Sequence, residues 1–89
     1  MKASVRTGQA DGLAIRMGKH FGHKVPVSTE AGVTRVDTRF GRFELEPGAD
    51  VLEVRLEPVD RAELARLREV VESHLERFAR GEPLEFEWR

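Results

Sequence analysis

The chain has 89 residues, 39% hydrophobic and 35% charged, so it can build one hydrophobic core beneath a densely charged surface. A total of 15 Lys and Arg against 16 Asp and Glu gives a formal net charge of −1, which disfavours nucleic-acid binders, because these normally carry a basic excess. Cysteine is absent, which excludes disulfides, thiolate metal sites and thiol nucleophiles.

The hydropathy of the chain predicts no contact with a membrane. No segment approaches the roughly 20 apolar residues of a membrane helix, and residues 1–7 lack the apolar stretch of a signal peptide. We therefore expect a cytoplasmic protein, built as a single domain over residues 1–89.

The chain opens with a strand and a helix. Residues 1–7 predict a short strand with one apolar face. Residues 9–21 predict an amphipathic helix that ends at Gly22, because apolar side chains recur at three- and four-residue spacing: Ala10, Leu13, Ala14, Met17 and Phe21. Gly12 and Gly18 within it each cost about 1 kcal/mol relative to alanine, and we expect Gly18 to mark a close backbone contact.

A meander of strands follows. Residues 25–27 predict a short strand with Pro26 at a sheet edge or at a strand end, because proline cannot donate a ladder hydrogen bond. Alternating apolar residues then predict a hairpin that turns at Phe40–Gly41, with the Phe40 side chain exposed at its tip. In this register Val36 pairs with Leu45.

The last part of the chain predicts strand, helix and strand. A turn at Pro47–Gly48 leads to a half-buried strand over residues 52–57. A capping signal at Asp60 begins the second helix, and Gly81 stops it. Its apolar stripe consists of Leu64, Leu67, Val71, Leu75 and Phe78. Alternation over residues 84–89 predicts a final strand.

The predicted order is β-α-β-β-β-β-α-β. Each strand is apolar on one face only, so we predict an α+β two-layer sandwich in which an antiparallel sheet carries both helices on one face. The first and last strands should lie in the same sheet, because each adjoins a helix that must pack on the core.

The three histidines, His20, His23 and His74, are the candidate ligand-binding or metal-binding residues. His20 and His23 stand three apart, a spacing that can serve one metal ion; the alternative is a pair that complements the helix dipole. His74 falls in the apolar stripe, either as a buried neutral histidine or as a catalytic base. Antiparallel helices predict a gap on the order of 15 to 20 Å between His74 and the other two, so we expect no metal shared by all three.

Basic residues near these histidines form a candidate anion-binding set of Lys19, Lys24 and Arg77, with a solvated helix face as the alternative. The chain has no glycine-rich phosphate loop and no nucleophile-elbow pattern. The sequence therefore predicts no catalytic residue and identifies no cofactor. It favours a non-catalytic binding module; the alternatives, in order, are a metal-binding protein that uses His20 and His23 and an enzyme that uses His74.

Two segments, residues 19–27 and 74–79, together with the ending Glu87-Trp88-Arg89, resemble signature segments of the bacterial domain-of-unknown-function 2218 family. The family has no assigned reaction, so the resemblance implies no catalytic residues. Genes of this type often lie near those of siderophore-interacting flavoproteins, which implies an association with iron handling. We expect a binding or accessory module for a small ligand or partner protein, with a symmetric homodimer as the form of any self-association.

Overall fold

The computed structural model describes all 89 residues as a six-stranded antiparallel sheet with two helices on one face. The elements are β1 (Lys2–Arg6), α1 (Ala10–Gly22), β2 (Val27–Glu30), β3 (Val33–Thr38), β4 (Gly41–Gly48), β5 (Val51–Pro58), a 3-10 turn (Arg61–Glu63), α2 (Leu64–Phe78) and β6 (Glu87–Trp88). The strands lie in the order β2-β3-β4-β5-β1-β6. This confirms the predicted α+β class and element order.

The first and last strands are neighbours in the sheet, as predicted. Ala3 and Ser4 of β1 pair with Trp88 and Glu87 of β6, while the other side of β1 pairs with β5. The predicted last strand is shortened, because only its final residues reach β1. Before them the chain stands away from β1, leaving a shallow gap lined by Ser4, Arg6, Pro83, Glu85 and Glu87.

The register of the β3–β4 hairpin differs from the prediction by two residues. Val36 pairs with Phe43 rather than Leu45, because the turn contains only Arg39 and Phe40. A shift of two residues leaves every side chain on its original face, so the buried face was predicted correctly. Gly41, at φ +140°, follows the turn where the backbone of Pro58 in β5 leaves no room for a Cβ atom.

The tip of this hairpin is less exposed than expected. The Phe40 ring is half-buried and packs against the core cluster. The guanidinium groups of Arg39 and Arg66 lie 5.0 and 5.2 Å from its centre. The ring is thus covered by two cations, an arrangement in which the aromatic face attracts positive charge. The predicted turn at Pro47–Gly48 also moves, because β4 continues through Gly48.

Both helices pack apolar side chains into one core cluster of 17 buried residues. The predicted stripe of the first helix is buried in full, whereas Leu64 and Phe78 of the second stripe are only partly buried against the cluster. The side chain of Asp60 accepts a hydrogen bond from the Glu63 amide, as the capping signal predicts, but it caps the 3-10 turn, and α2 itself begins at Leu64. Gly18 makes no close backbone contact, contrary to expectation, since a Cβ atom there would meet Thr34 Cγ2 at an ordinary 3.6 Å. Neither helix has the length and apolar character needed to cross a membrane.

Side chains of the first helix region cap the end of α2. Gln9 Nε2 donates to the Ala79 carbonyl at 2.7 Å, and Arg16 Nη1 donates to the Phe78 carbonyl. Arg16 also donates to Gln9 Oε1 at 3.3 Å, so the two side chains brace each other. We call Gln9 and Arg16 the polar clasp. It supplies partners for carbonyls that the end of a helix leaves unpaired.

The helices run in opposite directions, as predicted, but they cross. Gln9, just before α1, contacts Ala79, just after α2, and His20 near the end of α1 contacts His74. Between these contacts α1 advances about 16 Å and α2 only about 8 Å, at about 1.5 Å per residue. The end of α1 therefore lies beside the C-terminal half of α2, not level with its start. The predicted gap on the order of 15 Å between His20 and His74 is wrong.

The outer face of the sheet carries interleaved charges. Glu44 Oε2 accepts from Arg35 at 2.8 Å, and Glu44 Oε1 accepts from Arg55 at 3.0 Å. The hydrogen bond from Arg55, supported by Arg35, holds the pKa of Glu44 below its ordinary value despite partial burial. Arg89 pairs with Glu53 at 3.3 Å further along the same face. Positive and negative side chains thus neutralise each other locally across this surface.

Candidate functional site

Four rings from the two helices meet where the helices cross. The ring centre of His20 lies 5.0 Å from that of His74 and 5.4 Å from that of Phe78. Phe21 completes the group, with its ring centre 4.9 Å from that of His74. We call these four residues the histidine cluster. Two histidines 54 positions apart in sequence are thereby brought into contact.

The hydrophobic core holds this cluster in place. Phe21 is buried and packs edge-on against Phe43 of β4, with ring centres 5.3 Å apart, which anchors the last turn of α1. On α2, His74 immediately precedes the fully buried Leu75. His20 and His74 therefore lie at the rim of the core, where each ring is half-buried and partly open to solvent.

A hydrogen bond orients the His74 ring, whereas the His20 ring makes none within the chain. His74 Nδ1 lies 2.6 Å from the Val70 carbonyl oxygen. A carbonyl can only accept, so Nδ1 carries the proton, and in the neutral ring Nε2 keeps its lone pair. His20 makes no hydrogen bond within the chain. Both histidines thus retain a ring nitrogen for a ligand.

The electrostatic surroundings of His20 are basic. Burial lowers the pKa of His20 below its usual value, and the nearby His74, Lys24, Arg77 and His23 lower it further. Each of these neighbours carries or can acquire positive charge. The protonated form of His20 is therefore less favourable than that of a free imidazole.

The other predicted residues divide between two sides of α1. Lys24 and Arg77 are exposed and lie close enough to influence His20. His23 is exposed at the end of α1, where its backbone amide donates to the Phe21 carbonyl. Lys19 instead lines a shallow groove between α1 and β2. The structure thus pairs His20 with His74, leaves His23 outside the ring contacts and separates Lys19 from the other basic residues.

Sequence reasoning assigned Phe21 and Phe78 only to apolar stripes, although both border the histidines. For Phe78 the spacing was an available signal, since it lies four residues after His74 and i, i+4 neighbours share a helix face. Phe21 directly follows His20, and this spacing gives no such signal. No group of three or more His, Cys, Asp or Glu side chains is arranged to hold a metal ion. Any metal in the cluster would therefore rest on two protein ligands.

Comparisons with known proteins place the chain in a family. A search of curated proteins gave no match. The NMR structure of PA4090 from Pseudomonas aeruginosa is similar over 99% of this chain and 93% of that chain, with 32% sequence identity and a TM-score of 0.78. The model of the family described as "Uncharacterized protein conserved in bacteria (DUF2218)" matches residues 2–89. Because this match spans nearly the whole sequence, the chain belongs to the DUF2218 family of bacterial proteins.

Proposed function

We propose that the protein is a non-catalytic binding module that takes a small anionic ligand at the histidine cluster. The observation that carries the proposal is the basic surrounding of His20, which includes Lys24 and Arg77. An anion beside His20 would be attracted by these charges and would stabilise the protonated imidazole. The half-buried Phe78 ring supplies an apolar wall on the same side, which suits an organic carboxylate as well as phosphate.

The environment of His74 supports binding over catalysis. Its Nδ1 donates to the Val70 backbone carbonyl, which orients the ring. A carboxylate in that place would also stabilise a protonated ring, as in catalytic triads, whereas a neutral carbonyl does so less. An enzyme that uses His74 as a base remains the alternative, and turnover that is lost in His74→Gln would favour it.

Linkage gives the proposal a pH signature. An anion that prefers protonated His20 must bind more tightly as pH falls through the pKa of this residue, which lies below 6.5 in the free protein. We therefore expect affinity for sulfate, whose own charge does not change in this range, to rise between about pH 7.5 and about pH 5.5. Phosphate and citrate take up protons themselves over this range, so their affinities are compared at one pH. Binding that does not change over this range would contradict a role for His20.

The experiment is an NMR titration of metal-free protein with phosphate and with citrate at constant ionic strength. We expect shifts at His20 and His74, and about a tenfold loss of affinity when both Lys24 and Arg77 are changed to glutamine. Lys19→Gln is the matched control, because Lys19 lies on the same helix but faces the groove towards β2. An equal loss in the control would show a diffuse charge effect and refute the site.

The proposal also includes a role in iron handling. A role in iron handling would require that a metal-loaded chelate bind better than the free chelator. A comparison of gallium citrate with citrate tests this without paramagnetic broadening.

We also propose a cytoplasmic location and, for any self-association, a symmetric homodimer. Sedimentation velocity at rising concentration should then show monomer and dimer alone, and larger species would contradict twofold pairing.

A further inference from the structure

We propose that His20 and His74 form a two-histidine site for a divalent transition-metal ion, a function that goes beyond the anion binding proposed above. The proposal rests on the distance between the rings and on the nitrogen atoms that they leave unused. It does not depend on the basic residues around them.

The separation of the rings fits a shared ion. A metal about 2.1 Å from a histidine nitrogen lies about 3.2 Å from the ring centre, so two rings on one ion at angles of about 90° to 110° have centres about 4.5 to 5.2 Å apart. The observed separation is 5.0 Å. The ring planes are inclined by 48°, so the rings are not stacked face to face.

Each of the two histidine rings has a nitrogen atom that is free to bind a metal ion. The Val70 carbonyl accepts a hydrogen bond from the Nδ1–H group of His74, which leaves Nε2 as the ligand atom of that residue. Metal-binding histidines commonly donate their second ring N–H to a carbonyl or carboxylate in this way. The His20 ring makes no hydrogen bond within the chain, so it also keeps a ring nitrogen that can bind the ion.

The chemistry of the cluster selects the class of ion. Imidazole nitrogen suits Zn²⁺, Ni²⁺, Co²⁺ and Cu²⁺, whereas Mg²⁺ and Ca²⁺ require oxygen ligands. Two protein ligands leave other coordination positions for water or an anion. Lys24 and Arg77 repel a bare cation but attract an anion that occupies those positions. Metal and anion should therefore strengthen each other's binding by the same factor.

The test is a titration of tag-free, metal-free protein with Zn²⁺ in a weakly coordinating buffer that contains no phosphate or citrate. Long-range ¹H–¹⁵N spectra of the wild-type protein report each ring nitrogen separately. We expect Nε2 of His74 and one nitrogen of His20 to shift, with Nδ1 of His74 still protonated. Because this measurement needs no substitution, it stands even where a variant folds poorly.

Substitutions locate the ligands. We expect His20→Gln and His74→Gln each to weaken Zn²⁺ binding by at least about tenfold, and His23→Gln, the matched control, by less than about twofold. Thermal melts establish that each variant is folded. Loss in His20→Gln and His23→Gln, with His74→Gln unaffected, would place the ion on the surface pair and overturn the proposal. So would the absence of ring-nitrogen shifts at millimolar Zn²⁺.

The pH dependence separates this proposal from the proposed function. Zn²⁺ competes with protons for the ring nitrogens, so its affinity falls as pH is lowered, whereas that of an anion rises. Each titration is run without the other ligand. Failure of the Zn²⁺ titration alone therefore refutes the metal site, and failure of the phosphate titration alone refutes the anion site.

Discussion

The first prediction concerns Gly12 and Arg16, which lie next to each other on α1. A double-mutant cycle on these two residues measures how much Arg16 contributes to stability through the polar clasp. A Cβ atom on Gly12 would lie 2.7 Å from Arg16 Nη2, the far end of a flexible side chain. Gly12→Ala therefore has two opposing effects. It favours the helical backbone, and it pushes Arg16 away from the Phe78 carbonyl to which it donates.

The magnitudes decide the outcome. Alanine in place of glycine within a helix gains up to about 1 kcal/mol. A hydrogen bond from a charged donor contributes about 1.5 to 3 kcal/mol, and the partly exposed position of Arg16 favours the lower end. We expect Arg16→Ala to destabilise the protein by about 1.5 kcal/mol. Gly12→Ala should change stability little in the wild type but stabilise the Arg16→Ala background by about 1 kcal/mol.

Urea and thermal unfolding of the four proteins in the cycle provide the measurement. A change of 1 kcal/mol shifts the melting temperature of a domain of this size by about 4 to 8 °C, well above experimental error. Arg61→Ala is the control, because Arg61 is exposed at the other end of the second helical segment, and we expect a change within about 0.5 kcal/mol. Equal stabilisation by Gly12→Ala in both backgrounds would show that Arg16 acts independently of Gly12 and refute the reasoning.

Three further predictions concern other parts of the fold. Gly18→Ala should stabilise by up to about 1 kcal/mol in urea unfolding, since the added methyl meets Thr34 at an ordinary distance; destabilisation would reveal an unseen clash. The lowered pKa of Glu44 gives stability that is present above its unfolded-state value and is lost as pH falls through the folded-state value; Glu44→Gln should therefore flatten acid unfolding curves, and an unchanged curve would contradict this. Trp88→Phe removes the hydrogen bond from the indole N–H to Glu72 and should cost about 1 to 2 kcal/mol in thermal melts. Most of this cost should vanish in a Glu72→Ala background, which has no acceptor for the indole N–H; an undiminished cost there would show that the bond is not its source.

Local patterns predicted the elements well but not the hairpin register. The alternation around Val36 and Phe43 reports which face of the strand is buried, and a slip of two residues leaves that face unchanged. The observed register places position 41 directly after a two-residue turn and against the backbone of β5, where only glycine fits. This contact is distant in sequence, so periodicity does not reveal it.

The meeting of His20 and His74 was missed for a related reason. Counting residues along antiparallel helices assumes that both helices advance equally between contacts, and they do not. Gln9 contacts Ala79, and His20, eleven residues later, contacts His74, only five residues before Ala79. Apolar spacing predicts which face of a helix is buried but not how two helices slide and cross.

The distance between the two histidines depends on contacts that neither histidine makes. Arg16 and His20 stand four residues apart on one face of α1, and His74 and Phe78 stand four apart on one face of α2. Arg16 donates to the Phe78 carbonyl. His20 lies one turn after Arg16 and His74 one turn before Phe78, and the two histidine rings are in contact. The clasp and the histidine pair are thus successive contacts of the same helix crossing. A substitution that loosens the clasp acts on the crossing, and through it on whether two ring nitrogens can share one ion.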